Sequence, residues 1–185
     1  GAKATICRGF RISVSTSIDP YRSAKLSLRS VAQRIGALTD EIRDLDCELE
    51  RLVKIAAPTM ITKLGIGPGH AATLLTAAGE NIDRLRSEAA FAHLCGVAPV
   101  PASSGKTSRH RLNVHGNRQA NRSLHMIVIV RLRYCDRTRA YMARRTAEGR
   151  TKKEVIRCLK RYIVRDMHRT LRADLATLET RLDAL

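Results

Sequence analysis

The chain has almost no aromatic residues: Phe and Tyr make up 3% of its 185 positions and Trp is absent. A core built from such a chain rests on Leu, Ile, Val and Ala, which suits helix packing better than a β-sandwich. Acidic side chains are missing from one long stretch, since no Asp or Glu occurs between Ala89 and Cys135. The acids that follow, Asp136, Glu148, Glu154 and Asp166, each stand among Arg or Lys and read as ion-pair partners on helix faces, which argues against a carboxylate-based active site. No apolar run reaches the roughly 18 residues of a membrane span, and Gly1 to Tyr21 lacks the apolar block of a signal peptide. The five cysteines form no C-x-x-C pair and the six histidines no zinc spacing. Reduced thiols in a cytoplasmic protein, and no metal ligands within this chain, are the expectation.

What is present is positive charge. The formal net charge is +17 and the isoelectric point is near 10.7. Residues 1–60 hold ten Lys/Arg against seven Asp/Glu, whereas residues 61–185 hold 24 against ten. Such a balance points to nucleic acid first, ahead of an acidic membrane surface or an acidic protein.

The fold class expected is mainly all-α. Residues 1–21 show only a weak alternation at Ile12, Val14, Thr16 and Ile18 and lack an initiating Met, so they read as an unassigned edge or remnant. From Arg22 a long helix begins, with Leu28, Val31, Ile35, Leu38, Ile42, Leu45, Leu49 and Leu52 alternating at spacings of three and four. That heptad seam predicts a coiled-coil arm over 22–57, ended by Pro58, and self-association through it. A helical domain is expected over 58–185. It begins with ITKLGIGPGHAATLLTAAG from Ile61 to Gly79, which resembles a helix-hairpin-helix motif of DNA-binding proteins. Gly65, Gly67 and Gly69 would let bare backbone amides approach a phosphate; the alternative is a purely structural Gly-Pro turn.

Further helices are predicted from Ser87, a plausible N-cap, to Cys95, from Arg118 or Asn121 to about Tyr134, and from Arg137 to Ala147. Gly149 breaks the last of these. Thr151, with Glu154 in the capping-box position, opens a final helix whose Arg157, Lys160, Arg161, Arg165, Arg169 and Arg172 form a cationic face.

Between the helices lies Cys95 to Leu124, CGVAPVPASSGKTSRHRLNVHGNRQANRSL, where Pro and Gly interrupt any strand or helix period across Pro99 to Gly116. Ser104-Gly105-Lys106-Thr107 ends like a phosphate-binding P-loop, but Val100 stands where its first glycine belongs and Pro99 and Pro101 lack N–H groups. A Ser-His-Asp hydrolase would lack its G-x-S-x-G elbow. What remains is a hydroxyl, Ser103 or Ser104, attacking a DNA phosphate while Lys106, Arg109, Arg111 and Arg118 stabilise the phosphorane and His110 or His115 helps with the proton. On spacing alone the stronger reading is that these serines merely bond a phosphate or cap a turn.

The runs GIGPGHAATLLTAAGE, RLRSEAAFAHLCGVAPVPASSGKTSRHRLNVHGNRQANRSLH, RTRAYMARR and EGRTKKEVIRCLKRYIVR resemble the C-terminal half of a bacterial transposase of the one-hundred-and-ten family of insertion sequences, the bridge-RNA-guided recombinases, over about Ala24 to Arg172. The resemblance implies that Leu28 to Leu52 is the coiled coil, that Ser104 (with Ser103 the alternative) becomes covalently joined to DNA, and that a structured guide RNA is a partner. The nucleic-acid-binding residues expected from the glycine turn and the cationic loop are Gly65, Gly67, Gly69, Lys106, Arg109, Arg111, Asn117, Arg118 and Arg122. The resemblance also implies a RuvC-like domain whose four acidic residues hold magnesium; that half is missing here, so DNA binding should survive and strand exchange should not. The expected setting is the bacterial cytoplasm, by the nucleoid, with no membrane. The competing expectation is a non-catalytic helical module that binds DNA or RNA.

Overall fold

The computed structural model describes residues 2–11, 19–79, 85–102, 110–111 and 113–183. The described residues are mainly helical and fall into two compact units, Gly1–Glu48 and Leu49–Leu185.

The first unit contains α1, Ala2–Arg8, and most of α2, Pro20–Ala56. α1 stands in the stretch that sequence reading left unassigned; its seven residues carry too short a pattern to show a helical period. The weak strand alternation at residues 12–18 lies outside the described residues. α2 starts two residues before the expected Arg22, at Pro20, because Asp19 accepts hydrogen bonds from the amides of Tyr21 (3.0 Å) and Arg22 (3.2 Å) and Pro occupies the first helical position. Its seam is solvent-exposed at Leu28, Val31, Ile35, Leu38, Ile42 and Leu45.

The last turns of α2 belong to the second unit, where Leu49 packs on the core and Val53 and Ala57 are buried within it. A 3-10 turn, Met60–Thr62, follows, then α3 (Pro68–Ala78), α4 (Glu88–Leu94), α5 (Arg118–Tyr134), α6 (Asp136–Ala147) and α7 (Lys152–Leu182). The core is aliphatic and sulfur-bearing, with Phe91 the one aromatic among its buried described residues. Leu74 from α3, Leu124, Ile127 and Val128 from α5, and Val155, Val164, Met167 and Leu171 from α7 are fully covered. Asp174, itself buried, accepts the amides of Thr59 (3.3 Å) and Met60 (3.0 Å), tying α7 to the 3-10 turn 114 residues earlier.

Local rules set these boundaries. Ser87 Oγ accepts from the Ala90 amide and caps α4, and the Asn117 side chain accepts from the Gln119 and Ala120 amides and caps α5. Gly149, at φ 82°, separates α6 from α7, and Thr151 and Glu154 form the capping box foreseen for α7. The loop between α4 and α5 corrects the sequence reading in one respect: Val100–Pro101 (β1) pairs antiparallel with His110–Arg111 (β2). A two-residue ladder is too short to leave a period, and its Pro is tolerated because the pair has open edges.

Candidate nucleic-acid interface

The loop that carries the serines leaves α4 and returns to α5, and its two legs are clasped at the base. Gly96 ends α4 in the left-handed region, φ 66°. A Cβ on Gly116 would lie 2.2 Å from both the Cα and the N of Gly96, so the two backbones touch where no side chain fits. The returning leg satisfies the carbonyls left over at the end of α4: the Asn117 amide donates to Leu94 O (2.7 Å) and Asn113 Nδ2 to His93 O (3.1 Å). Asn121, one turn into α5, donates to Gly96 O at 2.8 Å and accepts from Lys160 Nζ at 2.7 Å. Burial, and then the neighbouring Arg157, lower the Lys160 pKa. The segment His115-Gly116-Asn117 through Asn121 is thus a fastening for the loop.

Beside this clasp, α6, α7 and the loop's legs enclose an open groove of about 930 Å³. Arg111 and His110 of β2 line one side. Arg144 and Arg145 of α6 and Arg157, Lys160, Arg161 and Arg165 of α7 line the other, with Arg150 from the turn between them. Glu154 is the one carboxylate in the lining, and the Thr151 amide, then its hydroxyl, hold its pKa below the usual range. Glu88 pairs with Arg161 and Arg165, and Glu148 with Arg144 and Arg145. Counting these two acids as well, the eight Lys and Arg of the lining still exceed the carboxylates by five. Desolvation, and then Arg165, lower the Arg161 pKa. A concave surface of this kind concentrates field lines and attracts a polyanion.

The sequence-predicted residues are not gathered in one place. Arg111 is in the groove. Ser103, Ser104, Lys106 and Arg109 lie outside the described residues. Gly69 and Asn117 line a separate small cleft with Gln119, Thr73 and Thr76, and the Asn117 carboxamide oxygen is taken up by the α5 cap. Arg118 and Arg122 are exposed on the first turns of α5. Gly65 packs inward: at φ 85°, a Cβ there would sit 3.3 Å from Ile127 O. Gly67 and Gly69 face open space, and what precedes them is the single 3-10 turn instead of a full helix. Sequence reading noted the cations of α7 as a face but not as one wall of a groove. The four-residue spacing of Arg157, Arg161 and Arg165 was the available signal.

Among the described residues no three His, Cys, Asp or Glu side chains come together as a metal site. The acids are instead used singly, Glu88 and Glu154 as above and Asp166 near Lys63 and Arg131, so they do not fit a magnesium ion.

The fold and groove together define a helical domain with a cationic groove and a clasped loop. Residues 59–143 match the family model described as the transposase IS116/IS110/IS902 family. The matched stretch runs from the 3-10 turn into α6 and includes both legs of the clasp but not Lys160, and it supports a transposase function and the DNA binding that goes with it. A comparison with curated proteins gave no match. No helix among the described residues is long and apolar enough to cross a membrane.

Proposed function

We propose that this chain is the DNA-binding, serine-bearing part of a transposase. The observation that carries the reading is the cationic groove, which adjoins both legs of the loop holding Ser103 and Ser104. Phosphates of a bound strand lie along Arg111, Arg157 and the cations of α6. Ser104 Oγ, with Ser103 the alternative, attacks phosphorus; a serine–phosphate bond forms as the bond to a sugar oxygen breaks. The hydroxyl proton passes to a base such as His110, and the departing sugar oxygen takes up a proton. Attack by another strand's hydroxyl reverses the sequence and rejoins DNA. Arginine charge at the reacting phosphate stabilises the crowded, charged intermediate.

The reading includes a RuvC-like domain with its magnesium for full activity, a structured guide RNA as partner, self-association through the exposed seam of α2, and work at the bacterial nucleoid. The test supplies a RuvC-like domain, magnesium and cleavable DNA, and looks for a covalent protein–DNA adduct on a denaturing gel. The adduct should vanish in Ser104→Ala while DNA binding persists. An adduct that survives Ser103→Ala/Ser104→Ala would overturn the mechanism. The second reading, a non-catalytic nucleic-acid-binding module, is favoured by the groove's being lined largely by α6 and α7, and it predicts binding with no adduct under any of these conditions.

A further inference from the structure

Aromatic side chains are scarce in this protein, four Tyr and two Phe in all, yet two of the tyrosines line the groove. Tyr141 of α6 and Tyr162 of α7 meet edge to face, ring centroids 5.6 Å apart at 81°. The two rings differ in their surroundings. Tyr141 is partly buried and packs against the hydrophobic core, whereas Tyr162 is 52% exposed. Arg144 lies 5.5 Å from the Tyr141 centroid and Arg165 5.9 Å from that of Tyr162. Tyr162 is therefore a ring steadied by a core-anchored neighbour, set in a cationic wall and left half open to solvent.

What sets Tyr162 apart from the exposed Tyr21 and Tyr134 is its place in the lining of the groove. A duplex turns its bases inward and offers phosphates, which arginines alone can hold. An unpaired strand offers π-faces as well, and every base can stack on a tyrosine. Arg157, Arg161 and Arg165 recur every four residues along α7, about 6 Å of rise per step, and make a cationic row beside the ring. Building on the reading of the groove as a nucleic-acid surface, we propose that it takes an unpaired polynucleotide strand, one base of which stacks on Tyr162. DNA and RNA share that chemistry.

Fluorescence anisotropy on the full chain tests this with three probes: a thymidine homopolymer, a uridine homopolymer and a blunt DNA duplex. Tyr162→Ala should weaken homopolymer binding about 5- to 150-fold, the range expected for one stacked base at ~1–3 kcal/mol. Duplex affinity should stay within about twofold, a change of less than ~0.5 kcal/mol, and Tyr162→Phe should behave as wild type. The homopolymer showing the larger loss identifies the strand as DNA or RNA. Tyr162→Leu keeps apolar bulk at the site and should lose affinity with Tyr162→Ala, which separates stacking from a folding defect. Equal affinities of wild type and Tyr162→Ala on both homopolymers, or an equal loss on the duplex, would overturn the proposal. Arg111→Glu/Arg157→Glu tests the underlying reading separately: undiminished binding of all three probes by that variant removes the groove itself. Binding that falls in that variant while Tyr162→Ala stays unchanged removes the stacking alone.

Discussion

Single residues decide whether the serine loop is held, and the glycines show it most sharply. Gly116 and Gly69 look alike in the sequence, but one is wedged against Gly96 and the other faces solvent from the first turn of α3. Gly116→Ala should therefore destabilise the protein by ~1–3 kcal/mol or more, the cost of forcing an atom into a packed contact. Gly69→Ala should stabilise it by ~0.5–1 kcal/mol through helix propensity. Urea unfolding of the two variants checks both signs. Cys95 gives a second test at this scale. Burial pushes its thiol from 9.0 up to about 12, so the neutral form is favoured in the folded protein. The stability this contributes is intact below pH 9 and is lost as pH rises from about 9 through about 12. Wild type should lose its advantage over Cys95→Ala across that window, and native Cys95 should resist alkylation at neutral pH while exposed Cys47 reacts. Of these features, the loop's charge and hydroxyls were legible from the sequence, but the clasp was not. Gly96 and Gly116 meet across twenty residues, and nothing local marks a backbone–backbone contact at that separation.

At the scale of elements, helices with caps and long apolar periods were legible nearly to the residue. α5 begins at Arg118, the earlier of the two expected starts, and ends at the expected Tyr134, and the Thr151–Glu154 box opens α7. These signals lie within a turn or two of each other, which is why they can be read from a linear chain. α1 and the β1–β2 ladder were missed because each is too short to repeat a pattern. The groove was missed for another reason: its walls come from α6, α7 and the loop, and their arrangement is a product of tertiary packing. The exposed seam of α2 carries its own prediction. Leu38→Asp and Leu45→Asp should convert an oligomer into a monomer by light scattering if the heptads pair between chains. An unchanged mass would exclude pairing through the seam.

The whole molecule is governed by its excess of cations. A surface that neutralises six or more phosphates should lose about 10³-fold in affinity between 50 and 200 mM salt. That slope is measurable by titration at several ionic strengths, and a flat one would count against polyanion binding altogether. Arg111→Glu/Arg157→Glu should flatten it as well as weaken binding.

The clamp between Asp174 and the amides of Thr59 and Met60 has a bearing on how the molecule is built up during synthesis. The family-matched stretch closes at residue 143, but its buried side chains lean on Val155, Val164, Met167 and Leu171, which emerge from the ribosome later. That stretch should stay protease-sensitive until the final helix arrives. Limited proteolysis of chains truncated after Ala147 should show rapid digestion, relieved when residues 151–183 are added back as a peptide. The stretch that matches the family model is thus finished by a helix that follows it.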